Sequence, residues 1–143
     1  MIQVLRFKGV ASITVTDLHA TRLEVARQLG AIALPVNFMK TADVDHAFDL
    51  AIDATESPDA IRNLPRPARD GGKILLFGVC PPGVTVPYVP NEIYCRELTI
   101  VGSFSLNGEI EEAPNSSPPG QSKRPRLSPI EFYFRTFRCF FDA

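Results

Sequence analysis

Residues 12–30 constrain this chain more than any other stretch. Ser12-Ile13-Thr14-Val15-Thr16-Asp17 is a β-branched strand pattern that ends in an acid. It leads at once into a helical pattern, Ala20 to Leu29, closed by Gly30. Leu23, Ala26 and Leu29 recur at helical spacing, with Arg and Glu outside them. The rest of residues 1–106 continues the alternation. A helix over 1–8 ends at Gly9 as its C-cap. Strands are expected at Ala33–Val36, Phe48–Thr55, Lys73–Val79 and Leu98–Phe104. Helical segments are expected at Ala42–Ala47, from Pro58 and at Asn91–Tyr94. Pro65 and Pro67 end the helix that Pro58 opens, and Gly71-Gly72 turns into the next strand. Strands alternating with helices, several of them nearly all apolar, imply an α/β doubly wound parallel sheet covered on both faces.

Composition narrows the class. The 143 residues allow one domain, and 45% apolar content supports a real core. A net charge of −1 points to neither nucleic acid nor an acidic surface as partner. No apolar run approaches the ~18 residues of a membrane span, and no signal peptide is read at the N-terminus. Cys80, Cys95 and Cys139 are far apart and odd in number, which suits reduced thiols in a cytoplasmic protein. They lack metal-ligand spacing, and His19 and His46 are the only histidines. Near Leu106 the composition changes. Residues 107–143 are rich in Pro and Ser, carry the basic run Lys123-Arg124-Pro125-Arg126 and end in an aromatic stretch. They are expected to form a disordered tail.

Candidate chemistry gathers at strand ends. A carboxylate at Asp17 can accept two hydrogen bonds from ribose hydroxyls and would repel a 2′-phosphate, which favours NAD over NADP. The alternative is that Asp17 caps the next helix. Arg22 can lie over an adenine, pair with Asp17 or belong to a solvated helix face. Thr55, Gly78 and Val79 end two further strands, where ligands of open α/β sheets lie. Gly78 can admit a ligand close to the backbone or simply form a turn. Asp49 and Asp53 share one side of a strand and read as structural. The basic run reads as a solvated linker.

The order of these segments resembles the cofactor domain of medium-chain dehydrogenases, the zinc-containing alcohol and polyol (sorbitol-like) dehydrogenases. The stretches that carry the resemblance are Val15-Thr16-Asp17-Leu18 with Arg22-Leu23, Leu29-Gly30-Ala31, Phe48 to Thr55, Gly71 to Val79 and Arg96 to Phe104. It implies oxidation of an alcohol or polyol by hydride transfer to NAD. By position, Asp17 and Arg22 resemble the adenosine contacts, and Thr55 a residue near the adenine. Val79 resembles a contact on the nicotinamide side, with Ser103 and Phe104 lining it. The resemblance also implies a homo-oligomer formed around the Leu98–Phe104 strand.

The chain departs from that pattern. The family's zinc ligands and Gly-rich turn have no counterpart here, and Glu56 stands where a Gly normally follows Ala-Thr. The expected sheet is therefore incomplete and Rossmann-like, lacking its first strand, within a partial cofactor domain over 1–106. The Ser12 and Phe48 strands would meet directly or leave two raw edges. Pyrophosphate is held by backbone N–H groups at a helix N-terminus. Losing two or three such bonds, at about 1.5–3 kcal/mol each, weakens NAD by a thousandfold or more. NAD binding is thus expected to be weak or lost, zinc to have no ligands and no residue to be catalytic. The chain reads as a fragment inactive alone. Non-enzymatic binding or oligomerisation is the alternative, with a nucleotide-binding regulator behind it.

Overall fold

The computed structural model describes residues 1–40, 44–104 and 138–142. Met1–Ser103 and Phe134–Ala143 form one unit; Phe104–Tyr133 is a second, of which only Phe104 is described. Helices α1 (Ile2–Phe7), α2 (Ala20–Gln28), α3 (Pro58–Asn63) and α4 (Pro90–Cys95) alternate with strands. The strands are β1 (Ser12–Asp17), β2 (Ile32–Pro35), β3 (Phe48–Asp53), β4 (Ala68–Leu76), β5 (Thr99–Gly102) and β6 (Arg138–Asp142). All pairings are parallel, in the order β2-β1-β6-β3-β4-β5. This is the 3-2-1-4-5-6 arrangement of dinucleotide-binding sheets. Its central position, however, is held by the strand that comes last in the chain.

β6 is the main departure from the sequence expectation. The β1 and β3 strands neither meet nor stand open. Ser12–Thr16 of β1 pairs with Arg138–Asp142, and Leu50–Asp53 of β3 pairs with Cys139–Asp142. Five residues of the expected disordered tail are therefore a strand; the rest of that tail lies outside the described residues. Composition hides this, because the five close an aromatic stretch that follows a polar, proline-rich one.

Both sheet faces are covered. Leu50 and Ile52 join Ile13 and Val15 of β1, Leu23 and Ala26 of α2, and Leu5 of α1 in one cluster. On the other face Ala51 packs with Leu64, Ala68, Ile74 and Leu98. Period-2 alternation in β3 thus feeds two cores, which is why its residues read as a continuous apolar run. Each fully buried Ile there contributes about 1.5–3 kcal/mol. The guanidinium of Arg96 is buried and gathers the sheet's far end. It donates to the Pro65 carbonyl (3.1 Å), the Ala68 carbonyl, Asp70 (3.0 Å) and Glu92 (2.6 Å).

Smaller boundaries also shift. β2 starts at Ile32, and Val36–Lys40 forms a 3-10 helix. Of the helix expected at Ala42–Ala47, residues 41–43 are outside the described set and Val44–His46 make a turn. β4 begins at Ala68, and Gly71-Gly72 lies within it where the register with β3 slips. Gly71 has φ +70°, and a Cβ on Gly72 would stand 2.6 Å from the Arg69 carbonyl oxygen, so both positions need glycine. α3 stops at Asn63, before Pro65 and Pro67, with Ser57 capping Ala60 N–H at 3.4 Å.

Candidate nucleotide site

Because every strand is parallel, all carboxyl ends lie along one edge. Asp17 closes β1 and Arg22 stands in the first turn of α2. Thr55 lies two residues beyond β3, Gly78 and Val79 just beyond β4, and Ser103 just beyond β5. Phe104 is exposed and belongs to the second unit. At ~4.8 Å per strand, the end of β1 and the end of β3 are about 10 Å apart, with β6 between them.

The Asp17 side chain is 1% exposed. Its Oδ1 accepts the His19 backbone N–H at 2.7 Å, so it supports the start of α2. Its Oδ2 has one long contact, 3.4 Å from a nitrogen of Arg22, whose side chain is 65% exposed. One oxygen is thus taken by backbone just before α2, and the other faces the exposed Arg22 guanidinium. A polar ligand that moves Arg22 aside gains a charged acceptor there.

The β3–β4 end is built differently. Asp53 is fully buried. Its Oδ1 accepts from the Thr55 backbone N–H (3.0 Å) and the Thr55 hydroxyl (2.7 Å), and the Thr55 hydroxyl oxygen accepts from Ser57 N–H at 3.0 Å. The Asp53 carbonyl accepts from Phe77 N–H and Gly78 N–H, both at 2.9 Å. A Cβ on Gly78 would stand 1.7 Å from the Thr55 carbonyl oxygen and 2.7 Å from Asp53 Oδ2. The close approach that Gly78 permits is thus that of the Thr55 backbone. Asp53 Oδ2 is buried without a hydrogen-bond partner among the described residues. Burial first, and then the Asp53 charge, raises the pKa of Tyr88 above its usual value. The Tyr88 hydroxyl donates to the Ile61 carbonyl at 3.1 Å.

Val79 is exposed, and the Cys80 thiol donates to the Glu56 carbonyl at 3.5 Å. Ser103 N–H donates to the Leu76 carbonyl at 2.9 Å, anchoring the end of β5 to β4. Sequence reasoning gave Asp53 a structural part but missed Tyr88, whose partner lies 27 residues away and leaves no local pattern.

The zinc-binding dehydrogenase family matches residues 1–117. The chain belongs to this medium-chain family. It is 37% identical over 110 residues to D-altritol 5-dehydrogenase of Agrobacterium fabrum, covering 76% of this chain and 32% of that one. A zinc-binding dehydrogenase structure from Sinorhizobium meliloti 1021, bound to NADP, superposes with TM-score 0.65. It is 26% identical and covers 72% of this chain and 33% of that one. Benzyl alcohol dehydrogenase of Acinetobacter calcoaceticus gives TM-score 0.63 at 26% identity, over 71% and 30% of the two chains. The chain spans about a third of the length of the curated relatives it matches.

No three His, Cys, Asp or Glu side chains among the described residues converge on a point that could hold a metal ion. These residues therefore offer zinc no set of ligands. At the end of β1 they offer a carboxylate oxygen, Asp17 Oδ2, and the exposed guanidinium of Arg22. No helix among them is long and apolar enough to cross a membrane.

Proposed function

We propose that this chain carries the cofactor-side part of an NAD-dependent alcohol or polyol dehydrogenase and that, assayed alone, it holds NAD weakly and transfers no hydride. The observation that carries the reading is the Asp17 carboxylate at the carboxyl end of β1, with Oδ2 committed, among the described residues, only to exposed Arg22. Ribose hydroxyls are donors that this oxygen can accept. A 2′-phosphate beside a buried carboxylate is repelled, unless Arg22 turns to meet it. When bound, the nicotinamide supplies the hydride acceptor. The protein's own residues supply orientation: Asp17 and Arg22 hold the adenosine half, while Thr55, Val79 and Ser103 border the path toward the other half.

Calorimetric titration of the 143-residue chain with NAD, NADP and ADP-ribose tests this. NAD and ADP-ribose are expected to bind alike and at least tenfold more tightly than NADP. Tighter NADP binding would overturn the cofactor preference, and alcohol turnover by this chain would overturn the fragment reading.

A second reading has its own observation. β5 is the last strand of the sheet, so its outer edge is unpaired among the described strands. Pairing of two such edges would make the chain a homo-oligomerisation module. Light scattering of the wild-type chain and of Ile100→Pro tests it. An unchanged monomeric mass for both would count against pairing.

A further inference from the structure

We propose that the space between β1 and β3 is a strand-receiving slot, and that Arg138–Asp142 is a detachable latch whose docking sets the spacing of the two half-sites. The latch pairs on both sides, five residues against β1 and four against β3. The two half-sites sit on opposite sides of it: Asp17 and Arg22 on β1–α2, Thr55 and Val79 beyond β3 and β4. In register, Asp142 lies level with Thr16 on one side and Asp53 on the other, one residue short of Asp17. With the latch in place the ends of β1 and β3 stand about 10 Å apart; direct pairing of those strands would halve that distance.

Topology makes the latch separable. Other neighbours in the sheet are joined by short connections, such as α2 between β1 and β2 and α3 between β3 and β4. β6 alone is reached from β5 through residues 103–137 and passes two intervening strands. A five-residue strand on so long a connection can open without unfolding β3, β4 and β5, which pair with one another directly. Its departure exposes two ladders at once, Ser12–Thr16 and Leu50–Asp53, which gives the slot its affinity for a parallel strand.

A ligand that spans both half-sites binds the docked spacing, so ligand and latch must stabilise each other reciprocally. This arm rests on the nucleotide reading above; the strand arm does not.

Cys139 stands opposite Ile13 and Leu50 in the ladder and serves as the reporter. In the full chain carrying Cys80→Ser and Cys95→Ser it is the sole thiol. Its labelling by a soluble thiol reagent should be about a hundredfold slower in native buffer than in denaturant, independent of protein concentration. Phe140→Pro, which removes a donor from the strand's centre, should return labelling to near the denatured rate while hydrogen exchange still shows β4–β5 amides protected. Labelling at the denatured rate in the unaltered strand, with the 139–142 backbone amides also unprotected in hydrogen exchange, would show the slot empty and overturn the proposal. Protection that grows with protein concentration would assign the strand to a second copy and overturn docking in cis. Loss of β4–β5 protection in Phe140→Pro would show that β6 is not separable. Added NAD should slow Cys139 labelling further. If NAD does not bind, Cys139 protection persists and only the nucleotide reading fails. If NAD binds without changing the labelling rate, only the coupling fails.

Discussion

The two ends of the carboxyl edge spend their polar groups differently. At β3–β4, Asp53 is surrounded by its own chain: Thr55 twice on Oδ1, with Phe77 and Gly78 on its carbonyl. At β1–α2, Asp17 makes one short bond to backbone and leaves its other oxygen to a long contact with an exposed arginine. The first arrangement fixes a shape. The second keeps a charge in reserve for something that is not protein. A buried carboxylate alone therefore does not mark a ligand site here: Asp53 Oδ2 has no partner among the described residues but is buried against Gly78, whereas Asp17 Oδ2 faces an exposed arginine.

Five substitutions test that contrast. Gly78→Ala puts a methyl 1.7 Å from the Thr55 carbonyl oxygen. Backbone must move, and a loss of about 3 kcal/mol is expected in denaturant unfolding. A loss below about 1 kcal/mol would mean the β3–β4 corner is softer than described. Asp53→Ala strands two donors of Thr55 but removes the orphan Oδ2, for a net cost of about 2 kcal/mol. Asp53→Asn keeps an acceptor for Thr55 and should cost about half as much. Neither should change the ADP-ribose preference.

Asp17→Ala reverses the pattern. Its stability cost is that of a helix-start contact, about 1 kcal/mol, while ADP-ribose affinity should fall by tenfold or more. Equal losses in stability and affinity would erase the distinction between the two ends.

Tyr88→Phe gives the smallest effect at neutral pH, about 1 kcal/mol for the bond to the Ile61 carbonyl. Its mark is on pH dependence. Burial and then Asp53 raise the Tyr88 pKa above 10.0 in the folded chain. Between the unfolded and folded values the native state holds a proton that the unfolded state has lost, so stability falls as pH rises past about 10. Tyr88→Phe should flatten that fall, as read from unfolding midpoints across alkaline pH.

How much of this was legible depends on range. Ser12–Asp17 and Ala20–Gln28 were readable because alternation, helical spacing and Gly30 act within a few residues. Asp17 was readable because its place at a strand's end is itself local. The separate fates of its two oxygens were not, since they turn on where the His19 N–H and Arg22 point. Gly78 was read as room for a ligand or as a turn; its reason, the Thr55 carbonyl, comes from a neighbouring loop. β6 was the least legible element. Five residues cannot announce a central strand when the partners that order them lie more than eighty residues away.

That distance has a consequence in time. The centre of this sheet is the last of its strands to be synthesised. At ~5–20 residues per second, β1 and β3 wait several seconds or more on the ribosome for the strand that joins them. Throughout that interval the two edges that face the gap, those of β1 and β3, stay open. Long-range parallel closure is also slow in itself. A chaperone that shields extended edges would find its substrate here in a growing chain that is already half folded, rather than in an unfolded one.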